Sequence, residues 1–145
     1  MTSFRAKVSE WMTTPVVSVS PSTTLIEADR TMTEYGIRRL PVIENGKLVG
    51  IITKGDVREA RASTANSLSI WELNYLVARL KVEQVMHGNV LTLTGDDDIA
   101  DAADLMMNKK ISGIPVLDGK QQVIGIITES DIFRMLVQQR ENQPA

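Results

Sequence analysis

"LVGIITKGDV" (Leu48–Val57) and "VIGIITESDI" (Val123–Ile132) are one phrase written twice. Each is an apolar run ending in Thr, which reads as a buried strand, followed by a short polar turn that opens a helix. Gly50, Thr53 and Asp56 fall on Gly125, Thr128 and Asp131 at an offset of 75 residues. A phrase repeated this closely makes internal duplication the first question to settle.

Outward from the phrase the correspondence continues. At an offset of 74, Val8 and Met12 fall on Val82 and Met86, and "VVSVSPSTTLIEA" (Val16–Ala28) falls on "VLTLTGDDDIADA" (Val90–Ala102). Met32, Ile37, Pro41 and Val42 fall on Met106, Ile111, Pro115 and Val116. The change from 74 to 75 comes between the turns "ENGK" and "DGKQQ". The chain is two copies of one unit, with expected bounds 8–60 and 82–138 and a connector over 61–81.

Each copy has the same local pattern. An alternating strand ("VVSVS", "VLTLT") precedes a helix of 3.6-residue apolar period. Leu25, Ala28, Met32 and Tyr35 form its face in copy one, and Ile99, Ala102, Ala103 and Met106 in copy two. Thr24 with Glu27 fits a capping box, and Gly36 suits the helix stop. A short strand ("LPVIE", "IPVLD"), a turn, the "GIIT" strand and a closing helix complete a β-α-β-β-α order. The connector begins polar and loop-like. Ser69 and Glu72 then cap a helix whose face is Ile70, Leu73, Val77 and Leu80. Trp71 and Tyr75, four residues apart on a neighbouring face, are expected to pack against the module or a second subunit.

Composition excludes several classes. The 145 residues hold 43 % hydrophobic side chains, enough for a core, and a formal charge of −2, which argues against a nucleic-acid surface. With no cysteine there is neither a disulfide framework nor a zinc-thiolate site. No signal-like or bilayer-spanning run is present, so a cytoplasmic protein without membrane attachment is expected. "GDDD" (Gly95–Asp98) lacks the alternate spacing of a calcium loop and precedes a helix, where acids meet the N-terminal dipole, so no metal is expected. His87, the sole histidine, has no nucleophile or second histidine in a recognisable catalytic set; it aligns with Thr13, where it could line a cleft. No catalytic residues are assigned.

The Thr–Asp pairs carry two readings. As caps, their oxygens accept orphan backbone N–H groups of the following helix. As a site, the carboxylate accepts hydrogen bonds from ribose hydroxyls while Thr and the helix N-terminus meet phosphate. Both can hold at once. Arg38 and Arg39 have the planar, permanently charged chemistry that suits phosphate, but copy two has Ser112 and Gly113 there.

Two β-α-β-β-α units with the pattern "hPV…G-h-h-T-x-x-D" resemble a pair of CBS domains, the Bateman module, over about Val8 to Val137. The connector "SLSIWELNYLVARL" is similar to the linker of small bacterial CBS proteins of the acetoin-utilisation type. The resemblance implies a mixed α/β (α+β) fold with tandem repeats packed through their sheets about a pseudo-twofold axis. It implies two clefts that bind adenosyl compounds such as AMP, ADP, ATP or S-adenosylmethionine as regulatory ligands, with no cofactor required. Asp56 and Asp131 would hold ribose, and Thr53, Thr128, Arg38 and Arg39 would lie near phosphate. Adenine would sit by Thr14, Val16 and Ile37 in the Asp131 cleft, and by Gly88, Val90 and Ile111 in the Asp56 cleft. The implied role is a non-enzymatic sensor, homodimeric through its helices, acting on an effector protein. The alternative is a ligand-free structural or interaction module.

Overall fold

The computed structural model describes residues 5–65 and 68–142. Its helices are α1 (Val8–Trp11), α2 (Leu25–Tyr35), α3 (Lys54–Thr64), α4 (Ile70–Arg79), α5 (Ile99–Lys109) and α6 (Glu129–Asn142). Its strands are β1 (Arg39–Glu44), β2 (Lys47–Thr53), β3 (Leu93–Thr94), β4 (Gly113–Leu117) and β5 (Val123–Thr128), and one 3-10 turn covers Val82–Gln84. These form two compact units. The first is Val17–Val90; the second joins the described residues up to Val16 with those from Leu91 onward.

In the first unit β1 and β2 are an antiparallel hairpin, Arg39 opposite Thr53 and Glu44 opposite Lys47. Asn45 and Gly46 turn it with φ of 52° and 78°, the two positive values that a tight primed turn needs. Leu25, Ala28 and Met32 of α2 pack with Leu40, Val42, Ile52 and Val57 as the buried core. Thr24 accepts a hydrogen bond from Glu27 N–H, and Gly36, at φ 65°, ends α2 in the left-handed conformation. Tyr35, expected on the buried face, is the last residue of α2 and is 60 % exposed. The second unit repeats the plan. β4 lies between β3, parallel to it, and β5, antiparallel to it. Ile99, Ala102 and Met106 of α5 meet Ile114, Val116 and Ile127 in its core.

Two expectations need correction. "VVSVS" forms no strand in the first unit, only a single parallel bridge of Val19 to Val42. Val19 donates to Pro41 O at 3.1 Å and accepts from Ile43 N–H at 2.9 Å. Pro15 and Pro21 bracket the segment and donate nothing, and Ser20 N–H is drawn off to Thr23 Oγ1 at 3.2 Å, so pairing stops there. "VLTLT" likewise keeps only Leu93 and Thr94 in β3. The connector does not begin as a loop, since α3 runs on through Thr64. Ser63 and Thr64 satisfy their hydroxyls on the carbonyls of Glu59 and Ala60, both at 2.7 Å, and so tolerate the helix. Residues 66 and 67 of the connector lie outside the described residues. α4 follows with its Ser69 cap, Ser69 Oγ accepting from Glu72 N–H at 3.2 Å. Val77 is its buried residue, while Trp71 and Tyr75 are 81 % and 58 % exposed and do not pack against the module. Arg79 instead covers the Tyr75 ring at 4.3 Å.

The units do not coincide with the sequence copies. The opening of copy one, with α1, belongs to the second unit, where Val8 is fully buried; the opening of copy two, with the 3-10 turn, belongs to the first, where Val82 is fully buried. Each opening ends by bridging the "GIIT" strand of its host. Thr13 and Ile126 exchange N–H···O bonds at 2.8 and 3.2 Å, and His87 and Ile51 do so at 2.9 Å each way. The repeated glycine makes this approach possible. A Cβ on Gly50 would stand 2.6 Å from Met86 Sδ and 2.9 Å from His87 O. On Gly125 it would stand 2.5 Å from Met12 Sδ and 3.2 Å from Thr13 O. Methionine can turn aside, but the carbonyls belong to the bridges. Gly50→Ala and Gly125→Ala are each expected to destabilise the protein by about 1–3 kcal/mol, as overpacking does. Denaturant unfolding of the two variants checks this.

Candidate functional site

Both Thr–Asp pairs stand where a "GIIT" strand becomes a helix. In the first unit Thr53 is the N-cap of α3: its Oγ1 accepts from Asp56 N–H at 3.1 Å, and Asp56 Oδ2 accepts from Thr53 N–H at 2.9 Å. This reciprocal box satisfies two orphan donors and fixes the carboxylate at the helix start. In the second unit Asp131 Oδ2 accepts from Thr128 N–H at 2.9 Å and from Thr128 Oγ1 at 3.1 Å. The capping reading is therefore true of both copies. It occupies one oxygen of each carboxylate and leaves the other for something else.

That other oxygen meets the segment inserted from the far copy. Asp56 Oδ1 lies 2.8 Å from His87 Nε2, and Asp131 Oδ1 accepts from Thr13 Oγ1 at 2.9 Å. Thr13 and His87 are equivalent in the repeat, one residue after Met12 and Met86, and the backbone bridges to Ile126 and Ile51 hold them there. The signal that picks them out is this shared position beside a methionine, since their side chains have little in common. Asp131 has one more partner, Arg134 Nη2 at 3.1 Å, which also donates to Trp11 O at 3.0 Å. Copy one has Glu59 in place of Arg134, so Asp56 has no such cation.

The two carboxylates consequently differ in kind. The Asp131 side chain is 2 % exposed and the Asp56 side chain 12 %. Asp131 has four donors within the protein; Asp56 has a backbone N–H and a histidine that is itself 66 % exposed. A ligand hydroxyl reaching Asp56 has one exposed imidazole to displace, whereas at Asp131 it competes with a buried network.

The remaining expected residues divide between the units. Thr14 and Val16 share a unit with Asp131, and Gly88 and Val90 share one with Asp56. Ile37 belongs to the unit of Asp56, and Ile111 to that of Asp131. Arg39 begins β1 opposite Thr53, as Gly113 stands opposite Thr128 in the other hairpin. Arg38 and Ile37 line a groove between α2 and α3. Arg38 O accepts from Lys54 N–H at 2.9 Å, tying the start of β1 to the start of α3. In "GDDD", Asp98 caps α5 through Ala100 N–H at 3.1 Å, Asp97 accepts from Thr94 N–H at 2.7 Å, and Asp96 pairs with Lys7 at 3.5 Å. Among the described residues no group of three or more His, Asp or Glu side chains is placed to hold a metal, and no helix is long and apolar enough to cross a membrane.

Comparison with known proteins accounts for the duplication. The family profile of the CBS domain matches twice, at residues 8–63 and 82–138. An uncharacterized protein of Methanocaldococcus jannaschii, MJ1225, is 31 % identical over 134 residues, which is 88 % of this chain and 46 % of that protein. The chain thus spans about half the length of that relative, and about a quarter of others that it matches. The solved CBS domain pair of protein MJ0100, in complex with 5′-methylthioadenosine and S-adenosyl-L-methionine, is 29 % identical with a TM-score of 0.79, over 93 % of this chain and 98 % of that one. CBSX2 of Arabidopsis thaliana in complex with AMP is 26 % identical with a TM-score of 0.76, over 92 % and 98 %. A Vibrio cholerae protein assigned to acetoin utilization, AcuB, is 28 % identical with a TM-score of 0.80, over 97 % and 99 %.

The carboxylates make a comparison of variants informative. Asp56→Ala removes a cap and an exposed contact, with an expected cost of about 0.5–2 kcal/mol. Asp131→Ala strips a buried acceptor from four donors, with an expected cost of about 2–3 kcal/mol. Urea unfolding of both variants should place Asp131→Ala clearly lower in midpoint.

Proposed function

Since the chain belongs to the CBS domain family and carries two copies of that domain, we propose that it is a non-enzymatic regulatory module that binds an adenosyl ligand. AMP, ADP, ATP and S-adenosylmethionine are the candidates. The observation that carries this reading is the duplicated carboxylate: one oxygen is pinned by the strand-end N–H, and the other is turned towards an inserted side chain. A ribose diol asks for an acceptor of that kind. The solved CBS pairs in complex with methylthioadenosine, S-adenosylmethionine and AMP support the choice of ligand class.

In this reading Asp56 and Asp131 hold ribose and Thr53 and Thr128 stand near phosphate, with Arg38 and Arg39 adding charge on the side of Asp56 only. Thr14, Val16, Ile37, Gly88, Val90 and Ile111 remain the proposed adenine contacts. The Asp56 position is the more available one, because its histidine partner is exposed and nothing like Arg134 competes. Binding shifts the population of two arrangements by its differential affinity, and an effector protein reads the shift. The proposed setting is the cytoplasm and the proposed assembly a homodimer.

Thermal unfolding with an AMP, ADP, ATP and S-adenosylmethionine panel tests this on protein freed of co-purifying ligand. At a hundredfold excess over Kd, a ligand should add about 2.7 kcal/mol of stability. Asp56→Ala should abolish most of that gain for a phosphate-bearing ligand. Unchanged melting with the whole panel overturns the reading.

One observation favours a second reading, that of an interaction module. Trp71, Tyr75 and Leu76 form an exposed apolar face on α4. If this is the operative surface, Trp71→Glu changes the oligomeric state in sedimentation velocity while nucleotides change nothing.

A further inference from the structure

α3 has a second functional face. Lys54, Arg58 and Arg61 follow one another at i, i+4 and i+7, so they share a stripe, and Asp56 lies about 200° around the helix from either Lys54 or Arg58. The stripe faces a groove of about 760 Å³ between α2 and α3, which Arg38 also lines. Its floor is apolar, made by Met32, Ile37 and Val57. Four cations therefore surround it against one carboxylate, Asp29. Asp29 is taken by Lys54, at 3.3 Å, and Lys54 also donates to Thr33 Oγ1. Among the described residues Arg38, Arg58 and Arg61 have neither an acidic partner nor a side-chain hydrogen bond.

The duplication supplies a control within the same chain. At the repeat-equivalent positions copy two has Ser112 for Arg38, Glu129 for Lys54, Phe133 for Arg58 and Leu136 for Arg61. The fold does not require cations there, and the second unit exposes Phe133 and Leu136 in their place, at 61 % and 49 %. Clustered like charges on one helix face repel, and an anion in the groove relieves that repulsion. Guanidinium groups match phosphate oxygens in shape and charge, and three without acidic partners around a groove of this size can serve more than one phosphate group. The volume falls within the range of small-molecule sites.

We propose that the α2–α3 groove of the first unit, which borders the adenosyl position through Ile37 and Arg38, is a binding site for a small molecule bearing several phosphates, held by the face of α3 away from Asp56. Arg58 and Arg61 grip the phosphates from α3, Arg38 closes the end of the groove, and Lys54 keeps the rim positive while neutralising Asp29. The apolar floor seats whatever non-phosphate body the ligand carries. Arg38 and Ile37 also serve the adenosyl reading; the grip of Arg58 and Arg61 does not, and it survives the failure of that reading.

Inorganic tripolyphosphate is the probe, titrated calorimetrically into the full chain at low and at physiological salt. Wild type should bind one equivalent, more weakly as salt rises. Arg58→Gln with Arg61→Gln should lose at least tenfold in affinity, whereas Asp56→Ala should bind as wild type does. Amide chemical-shift mapping on wild-type protein keeps the test independent of any variant's folding. Perturbations should centre on Thr33, Gly36, Val57 and Arg61. No binding, binding unaffected by the double substitution, or perturbations centred on Thr53 and Thr128 would each overturn the proposal.

Discussion

Two backbone bridges organise everything else in this protein: Thr13 to Ile126 and His87 to Ile51. Each fixes a segment from one sequence copy to the "GIIT" strand of the other copy's hairpin. Because the bridge must come close, the residue just before the bridged isoleucine is glycine in both cases, and a methionine side chain lies over the bare backbone. Because the bridge fixes the backbone at Thr13 and at His87, it also delivers one polar side chain to each carboxylate. Packing, the repeated glycine and the polar site are thus consequences of one hydrogen-bonding arrangement.

Most of the fold was legible because its signals are local. The 74–75-residue offset exposed the duplication, and the apolar faces of α2 and α5, the Thr24, Ser69 and Thr53 caps and the Gly36 stop all depend on neighbours within one helical turn. The signals that failed were those that need a distant partner. "VVSVS" alternates as a strand should, yet its neighbours offer a bond only at Val19, and proline and serine draw the rest away. Trp71 and Tyr75 are packing anchors by type, yet α4 turns Val77 inward rather than these two, which leaves a second subunit as their expected partner. Asp56 and Asp131 could be found from the phrase itself. His87 and its repeat-equivalent Thr13 stood out as cleft candidates, but their contact with the free oxygens could not be read, since Thr13 lies 118 positions from Asp131 and His87 lies 31 from Asp56.

The two copies share the Thr–Asp box and differ in what surrounds it. The shared part is the Thr–Asp box, which the helix needs for its own start in either case. What differs is the surrounding charge. Arg134 locks the carboxylate of the second unit into a buried network, while the first unit has an exposed imidazole at that oxygen. On the other face of the closing helix, three cations in copy one are replaced by one acid and two large apolar side chains in copy two. A pseudo-symmetric backbone is therefore carrying chemically unlike surfaces, and each copy's helix presents a different surface on either side.

The crossing of the chain openings bears on how such a protein folds and on how it arose. The first unit is one unbroken stretch, but the second is not, so it can close only after a loop of some seventy residues brings Val8 and Thr13 back to β5. That closure is entropically modest but slow, and it ties the folding of the two units together. The same geometry constrains any single-copy ancestor. One copy alone has a hairpin whose open edge awaits a segment that its own chain sends elsewhere. Two identical chains exchanging their openings would complete each other, so the simplest forerunner of this single-chain arrangement is a segment-swapped dimer later joined end to end.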